Sequence, residues 1–268
     1  MMSLGMLAYT IAGLLVGTSI GLTGIGGGSM MAPLLILVFH IPAAKAVQLD
    51  FLYLTPTKLA GAWQHHRDKT VDPILTLVLA IGAIPGTIIG SVWVARVVAS
   101  NPDLNLFLRH LIGIFILASA ALILIQLAFM WRRQRPYSQP VRVKLSTLQK
   151  VLIASVGLAV GLFVGATSIG AGSILLPLLV LMLRVRMREL VSTDVVLGAG
   201  MAVAGAIVHS LGQDVPWTLV GALLLGSLPG ALLGSKLIGI ISTRLVRGFV
   251  AGALVIAGLV LTGVLATS

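Results

Sequence analysis

The sequence contains no cysteine, and charge is scarce: Lys, Arg, Asp and Glu together make up 9% of 268 residues. The first absence excludes disulfides and thiolate-held metals, and says little about compartment. The second excludes an ordinary soluble domain, in which about 25% of residues are charged. Acids are the scarcer sign, seven against eighteen Lys and Arg. They are scattered, whereas an intramembrane enzyme needs acids or histidines gathered at one membrane face. No HExxH, CxxC or comparable metal-ligand spacing occurs, and no nucleophile–base set is evident. A Walker motif is missing too, so nothing points to ATP-driven pumping by this chain alone. No cofactor or metal is implied.

What fills the chain instead is apolar. Hydrophobic residues make up 58%, and runs of about 20 recur, the length that crosses a bilayer as a helix. They include 4–22, 74–98, 104–130, 151–164, 217–237 and 245–265. The first run has no basic n-region and further runs follow it, so it reads as a span and not a cleaved signal. The net charge of +11 invites thoughts of an anionic polymer. Its longest basic stretch, 131–150, has a plainer explanation. Pro136 and Pro140 mark it as a linker, and basic residues gather on cytoplasmic loops beside anionic headgroups. The expected partners are therefore membrane lipid and a small solute, with no nucleic acid. The expected location is the inner (plasma) membrane, multi-pass.

Shifted by 144 residues, the sequence matches itself without a gap. "GLLVGTSIGLTGIGGGSMMAPLLIL" from Gly13 lies over "GLAVGLFVGATSIGAGSILLPLLVL" from Gly157. In the same register Asp50 meets Asp194, His65 meets His209, and "GAIPGTIIGS" from Gly82 meets "GSLPGALLGS" from Gly226. Over positions 13–91 there are 28 identities in 79. Apolar similarity alone would not keep Gly, Pro, Asp and His in one register, so the halves are homologous. The expected organisation is a first transmembrane repeat at 1–130, a basic cytoplasmic linker at 131–149 and a second repeat at 150–268.

Each half divides into five apolar segments, an odd number, so the second inserts upside down. If all ten cross, fourteen of the eighteen Lys and Arg fall on one side, as the positive-inside rule asks, and both termini face the other. Segments 2 and 7 hold only about 13–15 apolar residues and are short or re-entrant. The expected fold is an all-α polytopic membrane protein of two inverted repeats with 8–10 spans.

The order of motifs is specific. A glycine cluster leads to a proline and an apolar run. An acid, "AGA", a histidine and a Pro-Gly pair follow. In the first half these are "GIGGGSMMAPLL", "AVQLD", "AGAWQHHRDKTVD" and "IPG"; in the second, "SIGAGSILLPLL", "LVSTD", "AGAIVHSLGQDVP" and "LPG". The ordered set, present twice, resembles the sulfite exporter TauE/SafE family over nearly the whole chain. That resemblance implies a secondary transporter of a small sulfur-containing anion such as sulfite, thiosulfate or an organosulfonate. Two other readings remain: a carrier or channel for another solute such as a carboxylate, and an intramembrane lipid-modifying enzyme. A homodimer is compatible with the sequence.

The residues suggest how an anion would be held. Glycine clusters break a helix and free backbone N–H groups, which a bilayer tolerates only inside protein or beside a water-filled cavity. The N-terminus of the half-helix that follows carries about +0.5 charge. The candidate substrate-binding set is therefore Gly26, Gly27, Gly28 and Ser29 in one half and Ser168, Gly170, Gly172 and Ser173 in the other. Thr23 and Thr167 are further hydroxyl donors, and Pro33 and Pro177 are expected near the start of each regular half-helix. Close packing of small residues is the plain alternative, and it is the expected role of isolated glycines such as Gly13 and Gly61. Lys58 joins the set as a mid-segment cation, eight residues after Asp50, able to meet substrate or pair with an aspartate. Its repeat counterpart is Ala202, so its role is asymmetric. Asp50 and Asp194 are candidates for proton coupling if buried, or for helix caps if interfacial. His65 and His209, at the ends of segments 3 and 8, complete the proton-coupling set.

Overall fold

The structure, a computed structural model, describes residues 4–23, 28–67, 71–132, 146–170, 172–182, 187–211, 214–237 and 243–265. They form ten helices: α1 (Leu4–Thr23), α2 (Gly28–Leu37), α3 (Ala43–Arg67), α4 (Pro73–Trp93), α5 (Pro102–Arg132), α6 (Thr147–Thr167), α7 (Leu175–Met182), α8 (Met187–Ser210), α9 (Trp217–Lys236) and α10 (Thr243–Leu261). The chain continues from α4 through a π-helical stretch, Val94–Val98. Helices α3 and α8 begin 144 residues apart, as do α4 and α9. No strand occurs among the described residues.

Six helices are long and apolar enough to cross a membrane: α1, α4, α5, α6, α8 and α9. Helix α3, with 25 residues, has a span's length but carries Lys45, Asp50 and Lys58. Helix α10 has a shorter apolar stretch, 245–261, with Arg244 before it and Arg247 within it. Helices α2 and α7, with ten and eight residues, rise about 15 and 12 Å, half of a 30 Å hydrocarbon core. The two short segments are thus half-helices.

Packing follows the repeat. The most extensive contacts pair α1 with α9, α4 with α6, α3 with α8 and α5 with α10. Each joins one half to the other. Along α3 and α8 the order reverses: Phe51 lies at Gly205, Lys58 at Gly198, and Gly61 at Val195. The same holds for α5 and α10, where Gly113 meets Leu261 and Gly258 meets Leu117. These equivalent helices run antiparallel, as inverted repeats demand.

Helices α1 and α9 run parallel and touch backbone to backbone. A methyl group added to Gly13 or Gly17 would overlap the carbonyl of Leu223 or Ser227; one added to Gly226, Gly230 or Gly234 would overlap that of Thr10, Leu14 or Thr18. The α4/α6 seam repeats this residue for residue: Gly82, Gly86 and Gly90 sit on Ala154, Leu158 and Leu162, and Gly157, Gly161 and Gly165 on Leu79, Ala83 and Thr87. Only glycine at four-residue spacing permits this approach. The Pro-Gly pairs belong here as well, with Gly86 and Gly230 in the seams and Pro85 and Pro229 exposed on the outer face. The outside of the bundle is apolar, with Leu77, Ile81, Leu225, Leu232 and Phe249 more than half exposed, which suits lipid.

Candidate functional site

The two breaks meet. Ser29, in the first turn of α2, donates a 2.7 Å hydrogen bond to the Oγ of Ser173, its counterpart 144 residues on. Both are buried. A contact between equivalent residues lies on the pseudo-two-fold axis, so the half-helices converge at the centre of the repeat pair. The Ser173 hydroxyl passes the chain on to Ser119 Oγ of α5 at 3.2 Å. Ser119 left no trace in the repeat, because its counterpart is Gly263.

The second break is described in its turns on either side of residue 171. Helix α6 ends at Ser168, which caps it in the left-handed conformation (φ 58°), and Gly170 follows at φ 125°. Ser168 tolerates this conformation with its hydroxyl donating to the Thr167 carbonyl at 2.6 Å. Gly170 carries the turn, because an L side chain rarely adopts its φ. The Thr167 hydroxyl is also engaged locally, donating to Phe163 O at 2.7 Å. The amides of Gly172, Ile174 and Leu175 all close onto the Gly170 carbonyl. The cradle expected from a row of free N–H groups is therefore narrower than the glycine count suggests. Pro177 is the third residue of α7, in its first turn as expected. Pro33 departs from expectation: α2 is already regular five residues earlier, and the proline sits inside it. Gly28 opens α2, while Gly26 and Gly27 lie outside the described residues.

The acids are not caps. Asp50 and Asp194 are each the eighth residue of their helix and are 0% and 2% exposed. Among the described residues, neither Asp50 oxygen has a hydrogen-bond partner, nor does Oδ1 of Asp194. The hydroxyls of Ser168 and Tyr53 face Asp50 without closing a well-formed bond onto it. Lys58 is 8% exposed, with its ammonium over the backbone of Gly198 and within electrostatic reach of both aspartates. Tyr53 and Gly198 escaped the sequence reading because the repeat places Leu197 and Leu54 opposite them.

His209 is fully buried, stacks on Phe51 at 5.5 Å between ring centroids, and has neither ring nitrogen bonded among the described residues. Gln48 donates to its carbonyl at 2.9 Å. His65 lies near the end of α3, and its side chain is outside the described residues. The α3/α8 interface thus carries Gln48 and His209 at one end, Asp50, Lys58 and Asp194 within it, and the backbone of His65 near the other. Among the described residues no cluster of three or more His, Asp or Glu could hold a metal ion.

The family model for the sulfite exporter TauE/SafE matches residues 9–261. The chain belongs to this family. The TauE/SafE chain described here is 33% identical over 251 residues to "Probable membrane transporter protein YjnA" of Bacillus subtilis (strain 168), covering 93% of this chain and 96% of the relative. A second protein of that organism, "Probable membrane transporter protein YdhB", is 30% identical over 250 residues, covering 92% and 96%. A third, "Probable membrane transporter protein YunE", is 29% identical over 247 residues, covering 85% of each chain. No solved structure matches. The TauE/SafE assignment and these relatives make the chain a membrane transporter, multi-pass by its helices.

Proposed function

We propose that this TauE/SafE protein is a secondary transporter that carries a small sulfur-containing anion across the inner membrane, coupled to protons. The observation that carries the reading is the hydrogen bond between Ser29 and Ser173 on the pseudo-two-fold axis. It joins the two helix breaks that an anion would need. Each half-helix N-terminus contributes a partial positive charge, and the serine hydroxyls contribute donors. An anion entering there takes the serine hydroxyls from each other and is held between Ser29, Ser173 and Ser119. Lys58 lies between the acids in the α3/α8 interface, and the intramembrane acids supply the coupling. Rocking of one repeat against the other then exposes the axis to each side in turn.

The test is flux of labelled sulfite, thiosulfate and sulfoacetate in proteoliposomes, with an acid-outside pH gradient imposed or absent. The expected result is accumulation of at least one sulfur anion, enhanced by the gradient. Flux of a carboxylate with none of the three sulfur anions would replace the substrate assignment, and no flux of any kind would overturn the reading.

A further inference from the structure

The repeat gives the protein two equivalent aspartates but a single lysine between them. We propose that Lys58 divides them into unlike roles: it is the fixed counter-ion of Asp194, and Asp50 alone takes up and releases the transported proton. The proposal rests on the proton-coupled reading above and assigns that coupling to one residue.

The geometry separates the two acids. The Lys58 ammonium lies over the backbone of Gly198, so close that a methyl group there would overlap it. Gly198 is one turn beyond Asp194 on α8, and residues four apart on a helix are neighbours. Asp50 is two turns back from Lys58 on α3 itself, and a different group faces it. That group is the hydroxyls of Tyr53 and Ser168, with no hydrogen-bond partner closed onto either carboxylate oxygen among the described residues. Of the other titratable groups on these two helices, His209 of α8 stacks on Phe51, Lys45 lies in the first turn of α3 and donates to the Asp214 carbonyl, Glu189 lies in the first turn of α8, and the side chain of His65 is outside the described residues.

A buried ionised carboxylate needs a counter-ion or several hydrogen bonds, since an isolated one is very costly in an apolar interior. Lys58 reaches both acids electrostatically, but its ammonium sits at Gly198, one turn from Asp194 and two turns from Asp50. Asp50 also faces two hydroxyls, one of them that of Tyr53, which has no hydrogen-bond partner among the described residues. A neutral carboxylic acid suits that surrounding, because it offers its own O–H as donor and a carbonyl as acceptor. A single positive charge balances a single negative one. The second acid is left to alternate between its protonated form and a carboxylate that exists only while a cation or water reaches it. The symmetry of the fold makes the asymmetry informative: Lys58 matches Ala202 in the repeat and Tyr53 matches Leu197, so the surroundings of the two acids are not equivalent.

Dicyclohexylcarbodiimide, which reacts with protonated carboxyls inside membranes, reads this division directly. The wild-type protein in its native membrane is treated at neutral pH and its peptides are analysed by mass spectrometry. Modification of Asp50 is expected to exceed that of Asp194 by at least about tenfold. In Lys58→Met, Asp194 is expected to become reactive as well. Equal labelling of both acids in the wild type, labelling of neither, or a Lys58→Met protein whose Asp194 stays unreactive would each overturn the proposal. Should Lys58→Met fail to fold, the wild-type ratio alone decides. The readout needs no flux, so a division of reactivity without sulfur-anion transport would remove the transport reading and keep the division of charge.

Discussion

At the residue scale the protein depends on a few polar atoms placed where a bilayer penalises them most. Ser29, Ser173 and Ser119 satisfy one another across the axis, whereas Asp50, Asp194 and Lys58 stand in electrostatic contact. If Asp50 carries the coupled proton, Asp50→Asn removes accumulation driven by an acid-outside gradient while leaving the protein folded. Flux measured with and without the gradient checks this, and an unchanged response to the gradient would refute it. Gly198→Ala is a finer probe. The added methyl group meets the far end of a flexible lysine and not backbone, so the fold survives and the ammonium moves. We expect normal expression with flux reduced by at least about fivefold, equivalent to about 1 kcal/mol. The aspartates, Lys58 and the serines of both breaks were legible in the sequence because they are polar residues inside apolar segments. Ser119, Tyr53 and Gly198 were not, since a lone serine, tyrosine or glycine in a membrane helix carries no signal until a partner faces it.

Elements are held together by glycine. The α1/α9 and α4/α6 seams bring backbones so close that a larger residue displaces the neighbouring helix. Gly86→Leu and Gly230→Leu should each lower the yield and stability of the folded protein, because overpacking already costs about 1–3 kcal/mol where only side chains must yield. Gly248→Ala and Gly252→Ala serve as controls of opposite sign. An added methyl group meets nothing within 4 Å at either position in α10, and alanine is the better helix former by about 1 kcal/mol. Thermal unfolding in detergent should show the first pair destabilised and the second unchanged or stabilised. This scale also shows where periodicity reading was weakest. Segments 2 and 7 are too short in the sequence to be ordinary spans, but the two breaks are not alike. Pro33 sits inside α2, whereas Pro177 lies in the first turn of α7, and nothing in two matching prolines distinguishes them.

On the scale of the whole molecule, the inverted repeat was the most legible feature. An ungapped 144-residue repeat with five segments in each half predicts antiparallel equivalents, and α3/α8 and α5/α10 run that way. Hydropathy shows less: among the described residues six helices are long and apolar enough to cross a membrane, and α3 is not one of them because it carries Lys45, Asp50 and Lys58. Sidedness follows from the inversion and is testable without background, since the chain has no cysteine. Asn101→Cys and Leu245→Cys occupy equivalent exposed positions in the two halves. An impermeant maleimide applied to one side of oriented vesicles should label one and not the other. Labelling of both from the same side would contradict inverted insertion.

The central claim is that an anion is carried where the two helix breaks meet on the axis. The most direct measurement is exchange of labelled sulfite in proteoliposomes by the wild type, Ser29→Ala, Ser173→Ala and the double variant, each first shown to be folded. If both hydroxyls bind the anion, each single loss removes about 1 kcal/mol and the double variant loses at least about tenfold in exchange. Wild-type exchange in the folded double variant would contradict the account and leave the serine pair as packing alone.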